Sequence, residues 1–174
     1  MSTAKSPGPG PIVSSSHLAS GEMPALSEFE FGLILASHAF ERWMVRCMAA
    51  AGIEGLSPLD VLVLHSVNHR DRAKTLASIC TVLSIEDIHL VTYAIRKLEK
   101  SGLVKSGRAG KEKTVEITRE GAQACERYKE IREELLVKTA KALGMSNEAA
   151  SGLAAELRAL SGHYAQAARS AASL

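Results

Sequence analysis

No uninterrupted apolar run in this sequence approaches the ~20 residues that a membrane-spanning helix needs. The N-terminus also lacks the continuous apolar stretch of a secretory signal. Both absences lead to the expectation of a cytoplasmic protein with no membrane partner. A Gly-rich phosphate loop, a nucleophile elbow and a metal-ligand set are missing too, and the histidines and acids are scattered. The expectation is therefore a protein that is not an enzyme, with no catalytic residue, no metal site and no cofactor. Cysteine is scarce: Cys47, Cys80 and Cys125 are an odd number, far apart, each inside an apolar helical pattern. They read as reduced core residues, and Cys47 as a buried, inert thiol rather than an oxidant sensor. Proline is nearly absent beyond the start. Four of the five prolines (Pro7, Pro9, Pro11, Pro24) and the run Ser14-Ser15-Ser16 fall in residues 1–27. With few large apolar groups to offset the entropy of ordering, that segment reads as a disordered tail. The net charge is only +2, so bulk charge neither requires nor excludes a polyanionic partner.

The helical patterns begin at Glu28. Phe29, Leu33, Ala36, Phe40, Trp43, Cys47 and Ala51 recur at steps of three or four, predicting a long first helix that ends near Gly52. Leu56-Ser57-Pro58-Leu59-Asp60-Val61 is a helix start in which Ser57 caps, Pro58 takes the first position and Asp60 completes a capping box. The second helix then carries Val61, Leu62, Leu64, His65 and Val67 to a polar break at 68–72. A short third helix starts from Thr75, with Leu76, Ile79, Cys80 and Leu83 inward. After a turn near 84–87, a fourth runs to Gly102 with Ile88, Val91, Ile95 and Leu98 as its buried stripe. Two short helices, a turn and a longer basic helix make a helix-turn-helix candidate.

The period then changes. Leu103–Lys105 and Thr114–Thr118 predict two short strands joined through the glycine-containing segment 107–112. Thr118 caps a fifth helix bearing Cys125, Tyr128, Ile131, Leu135 and Leu143, which Gly144 ends. A sixth helix from Ser146 carries Leu153, Leu157, Leu160, Tyr164, Ala167 and Ala171 as a packing seam. Positive charge is concentrated: between Arg96 and Arg119 there are eight Lys or Arg against three Glu. Such a segment offers a surface to a polyanion or solvates a helix and a hairpin. His65 and His69 share a helix face as a metal pair would, but no further ligands appear at a recognisable spacing, so both read as ordinary residues.

Three landmarks in order resemble the MarR-type winged helix-turn-helix regulators: Leu56-Ser57-Pro58, then Arg96-Lys97-Leu98-Glu99-Lys100-Ser101-Gly102-Leu103-Val104, then Val115-Glu116-Ile117-Thr118-Arg119-Glu120-Gly121. The resemblance implies a mainly helical fold with a small β-hairpin wing. It also implies one domain over 28–174, with 28–52 and 119–174 as dimerisation helices and 56–118 as the DNA-binding part. The function implied is sequence-specific binding of double-stranded DNA by a homodimer. His89, Thr92, Tyr93, Arg96 and Lys97 would be the residues of the fourth helix closest to DNA, and Arg108, Lys111 and Lys113 the wing contacts. Trp43, Phe40, Met44 and Met48 would serve as dimer core or line a pocket for a small-molecule effector. The chain departs from the family where its wing reads Gly107-Arg108-Ala109-Gly110-Lys111-Glu112-Lys113, and where Glu86, Asp87, Ile88 and Leu90 open the fourth helix. Those last residues motivate the alternative, a winged-helix adaptor that binds proteins and not DNA.

Overall fold

Proline at the first helical position starts the long helix α1, Pro24–Ala50, four residues before its apolar pattern begins. The computed structural model describes residues 10–70 and 72–174. Within the segment expected to be a disordered tail, residues 1–9 lie outside the described residues. From Ile12 the chain is tied to α1. The Ile12 N–H donates to the Glu28 carboxylate at 2.9 Å, and the Ser27 hydroxyl donates to the Leu18 carbonyl at 2.6 Å, beside a single 3-10 turn at Ser16–Ala19. The expected apolar stripe of α1 is split: Cys47 and Ala51 are buried, whereas Leu33, Ala36 and Phe40 are exposed; off the stripe, Met44 and Met48 are buried and Ile34 and Leu35 exposed.

The chain divides into two compact units, with the boundary between Tyr128 and Lys129. In the first, α1 is followed by α2, Pro58–Asn68, whose start is the capping box read from the sequence. The Asp60 N–H donates to Ser57 Oγ at 3.3 Å, and the Ser57 N–H donates to the Asp60 carboxylate at 2.7 Å. Strand β1, Lys74–Thr75, leads into α3, Leu76–Leu83, where Thr75 Oγ1 accepts the Ser78 N–H as an N-cap. Ser84, in the left-handed region at φ 52°, turns the chain into α4, Ile88–Lys100. Of the four residues expected to face inward on α4, Val91, Ile95 and Leu98 are buried with Ala94. Ile88 is not: it sits in the first turn, one turn ahead of the buried stripe, and is 44% exposed.

Strands β2, Val104–Ala109, and β3, Glu112–Ile117, form a regular antiparallel hairpin, longer than the sequence pattern suggested. Only Gly110 and Lys111 make the turn, and Gly110, at φ +61°, supplies the positive dihedral that a two-residue hairpin loop requires at its first position. β1 pairs with the far edge of β3, giving the sheet order β1-β3-β2. β1 had no sequence signal, since two residues cannot display a period. Helix α5, Arg119–Arg132, is capped by Thr118, whose Oγ1 accepts the Gly121 N–H at 3.0 Å.

In the second unit a π-helical turn, Glu133–Val137, precedes α6, Lys138–Ala142. Ser146 then caps α7, Asn147–Ala171, through the Ala149 N–H. No residue of α7 is buried, and its expected seam of Leu153, Leu157 and Tyr164 stands exposed. Among the described residues no single helix is long and apolar enough to cross a membrane.

Candidate nucleic-acid interface

Helix α4 is sharply two-sided because its apolar residues recur at 91, 94, 95 and 98, which holds one face against the core and turns the other outward. Its N-terminus is closed by Asp87, whose carboxylate accepts the His89 N–H at 2.8 Å. One of the two acids that open this helix is therefore spent on the backbone, where a negative charge also suits the helix dipole. The outward face carries His89, Tyr93 and Arg96, all exposed. Thr92 is half-buried, and its hydroxyl donates to the Ile88 carbonyl at 2.9 Å, within the helix itself.

Lys97 stands apart from the other expected contacts. Its ammonium donates to the Asp60 carboxylate at 2.7 Å, and the Asp60 side chain is only 2% exposed. The same oxygen accepts the Ser57 N–H, so Asp60 joins the start of α2 to the middle of α4. This places Lys97 as a brace for α4. The two residues are 37 apart in sequence, and no local pattern announces the pair.

The hairpin has two unlike faces, set by its register. On one, Lys105 lies opposite Glu116 and the two form an exposed ion pair at 3.1 Å. On the other, Val104 and Val115 are buried at the base, and toward the tip Arg108 lies directly opposite Lys113. Side chains directly opposite on one face of an antiparallel pair stand ~5 Å apart at Cβ, and like charges there repel. Arg108, Lys111 and Lys113 line one open concavity together with Ser106 and Gly107. The sequence reading missed Ser106, although strand alternation puts it on the face of Arg108. This concavity is a cationic surface suited to an anion such as phosphate.

The groups considered for other chemistry are placed differently. His65 packs on Tyr128 in a T-shaped arrangement, with centroids 4.6 Å apart and planes at 67°, and burial lowers its pKa from the usual imidazole value. His69 is exposed. The Cys47 thiol donates to the Tyr128 carbonyl at 3.5 Å inside the core, and burial pushes the Cys125 thiol up to about 11. Met44 and Met48 are core residues of the first unit. A cleft on α1 is lined by His38, Glu41, Arg42, Val45, Arg46 and Pro58.

A family model described as a winged helix DNA-binding domain matches residues 56–121, the span from the start of α2 through the hairpin to α5. No curated protein matches the sequence. Among solved structures, a MarR family regulator from Neisseria meningitidis superposes with a TM-score of 0.66 at 16% identity, covering 82% of this chain and 95% of its own. A MarR variant from E. coli complexed with operator DNA gives 0.63 at 17% identity, over 81% of this chain and 99% of its own. CouR from Rhodococcus jostii, bound to p-coumaroyl-CoA, gives 0.63 at 14% identity, over 76% and 90%. At these identities the likeness is one of fold: the chain has the winged-helix architecture seen in MarR family regulators.

Proposed function

We propose that this winged-helix chain is a sequence-reading transcriptional regulator of the MarR type, a cytoplasmic homodimer whose partner is double-stranded DNA. The observation that carries the reading is the hairpin face on which Arg108 and Lys113 lie directly opposite each other beside Lys111. Like charges held in that register are relieved by an anion. In a winged helix-turn-helix the hairpin follows directly on the recognition helix, as β2 follows α4 here. Homodimerisation is supported by the exposed apolar residues of α1 (Leu33, Ile34, Leu35, Phe40) and of α7 (Leu153, Leu157, Tyr164), more large apolar surface than a lone chain leaves to water without cause. A small-molecule effector belongs to the same reading, and the cleft along α1 at His38, Arg42 and Arg46 is the concavity we assign to it.

The test of DNA binding is selection of bound sequences from a random duplex pool, followed by electrophoretic shift at low and moderate salt. Saturable binding with an enriched sequence is the expected result; absence of any saturable shift rejects the proposal.

Positioning and reading should separate by substitution. Lys111, at the exposed turn, is placed for phosphate. Lys111→Ala should weaken selected and random duplexes by similar factors and lower the salt slope by about 1. Arg96, on the outward face of α4, is placed for a base edge. Arg96→Ala should cost roughly 1–3 kcal/mol on the selected sequence and less on random duplex. Equal losses on both duplexes for Arg96→Ala would remove it as a reading residue.

The dimer has its own test in the untruncated 174-residue chain. Leu157 is exposed in the protomer, so Leu157→Glu leaves each protomer's fold intact while burying a carboxylate in any α7 interface. Light scattering should then give the monomer mass where the parent protein gives the dimer mass. An unchanged mass would take α7 out of the interface.

A further inference from the structure

In a helix-turn-helix the N-terminal turns of the second helix meet the base edges. In α4 those turns, Ile88 to Ile95, contain no Asn, Gln, Arg or Lys, the side chains that read purines in the major groove through hydrogen bonds. The Thr92 hydroxyl donates to its own helix, and the Asp87 carboxylate is held by the cap. Beside the exposed His89 ring, what this end of α4 offers is apolar. Ile88 is 44% exposed, Leu90 51% and Tyr93 71%. Leu90 and Tyr93 are three residues apart and so are neighbours on the helix surface, and helical side chains lean toward the N-terminus, the end that enters the groove.

Only one base presents an apolar group in the major groove, the C5-methyl of thymine. Guanine and adenine offer acceptors there, and cytosine and adenine offer amino donors. A leucine pressed against any of those would strip their water and return no hydrogen bond. The apolar pair therefore favours thymine and also discriminates against cytosine, whose amino group would be left unsatisfied. We infer that Leu90 and Tyr93 are specificity-determining residues that read thymine methyl groups, so that this chain's binding sites carry thymine where the first two turns of α4 enter the major groove. The occupant is DNA and not a protein partner, because this apolar pair stands on the same helix as exposed Arg96 and just ahead of the Arg108–Lys111–Lys113 concavity, a cationic setting. The inference rests on the proposed function.

Replacing thymidine by deoxyuridine removes the methyl and keeps every hydrogen bond of the base pair. In each sequence enriched from the random pool, thymidines are replaced one at a time and binding is measured for the parent protein, Leu90→Ala and Tyr93→Ala. The substituted side chains are exposed, so neither change touches the core. The parent should lose about fourfold in affinity for each contacted methyl removed, the factor that goes with burying one methylene-sized group. Leu90→Ala should bind the thymidine and deoxyuridine duplexes equally at the position that Leu90 reads. If enriched sequences emerge but no deoxyuridine weakens binding, the inference falls while DNA binding stands. An undiminished methyl effect in both variants would assign the reading to other residues and overturn it as well. If no sequence is enriched, the proposed function falls and the inference with it, leaving the exposed leucine and tyrosine as an adaptor's contact for protein.

Discussion

Gly121→Ala should destabilise the first unit by about 3 kcal/mol or more, although alanine is the better helix former. Gly121 lies in the first turn of α5 and its φ is not positive, so conformational freedom is not what the position requires. Propensity alone would predict a gain of ~1 kcal/mol. Space reverses the sign. A Cβ at residue 121 would stand 2.1 Å from the Leu103 carbonyl oxygen and 2.7 Å from Ile117 Cδ1.

That carbonyl cannot easily give way. It accepts the Thr118 N–H at 3.1 Å, while the Thr118 hydroxyl donates to the Gly102 carbonyl at 2.7 Å and accepts the Gly121 N–H. Relief of the clash therefore means pulling α5 off the point where α4 ends and β2 begins, and losing those bonds. For a chain of this size the expected drop in Tm is roughly 6–12 °C, from about 2–4 °C per kcal/mol. DNA affinity should fall too, because the hairpin is anchored at that junction. The internal comparison is Gly162→Ala. Gly162 is on α7 with open space where a Cβ would go, and lies on the far side of that helix from Leu153, nine residues or two and a half turns away. It should be neutral or slightly stabilising. Calorimetry on both variants checks the pair, and a Tm for Gly121→Ala at or above that of the parent would contradict the close approach.

What could be read ahead of the structure was chemistry confined to a few neighbouring residues. The capping box at Ser57 and Asp60, the N-cap at Thr118, the helix starts at Thr75 and Ser146, and most of the inward stripe of α4 all stand where sequence pattern put them. Each depends on residues within about one or two helical turns. The failures share the opposite property. β1 is strand only because Lys74 and Thr75 pair with Val115 and Thr114, some forty residues away. Periodicity on α1 reports which side is apolar but not what covers it, so Met44 and Phe40 look alike in sequence and differ in burial. The glycines of 107–112 mark the joining segment in sequence, whereas Gly110 and Lys111 alone make the turn and the strands extend to meet it.

The candidate site divides along the same line. Arg96, Arg108, Lys111 and Lys113 are exposed. That Arg108 faces Lys113 while Lys105 faces Glu116 is a matter of strand register, which the sequence leaves open when both faces of a hairpin tip are polar.

Lys97 is the residue on which a DNA-contact role and a structural role make opposite predictions. If it is the brace for α4, Lys97→Met leaves a carboxylate, Asp60, that is 2% exposed and retains only the Ser57 N–H as partner. Breaking a buried pair in this way costs 3–5 kcal/mol when both partners are dry. Here the lysine side chain is 34% exposed and water reaches part of the site, so about 2–3 kcal/mol is expected. Asp60→Asn keeps an oxygen for the Ser57 N–H and should cost less. In the double variant no buried charge is stranded, and the two losses should fall short of additivity by about 1–2 kcal/mol. Chemical denaturation of the four proteins gives this coupling directly. DNA affinity, counted per folded molecule, should move little in Lys97→Met, since the ammonium already has its partner. A Lys97→Met protein with unaltered stability and uniformly weaker binding to every duplex would show instead that this lysine leaves Asp60 for a phosphate.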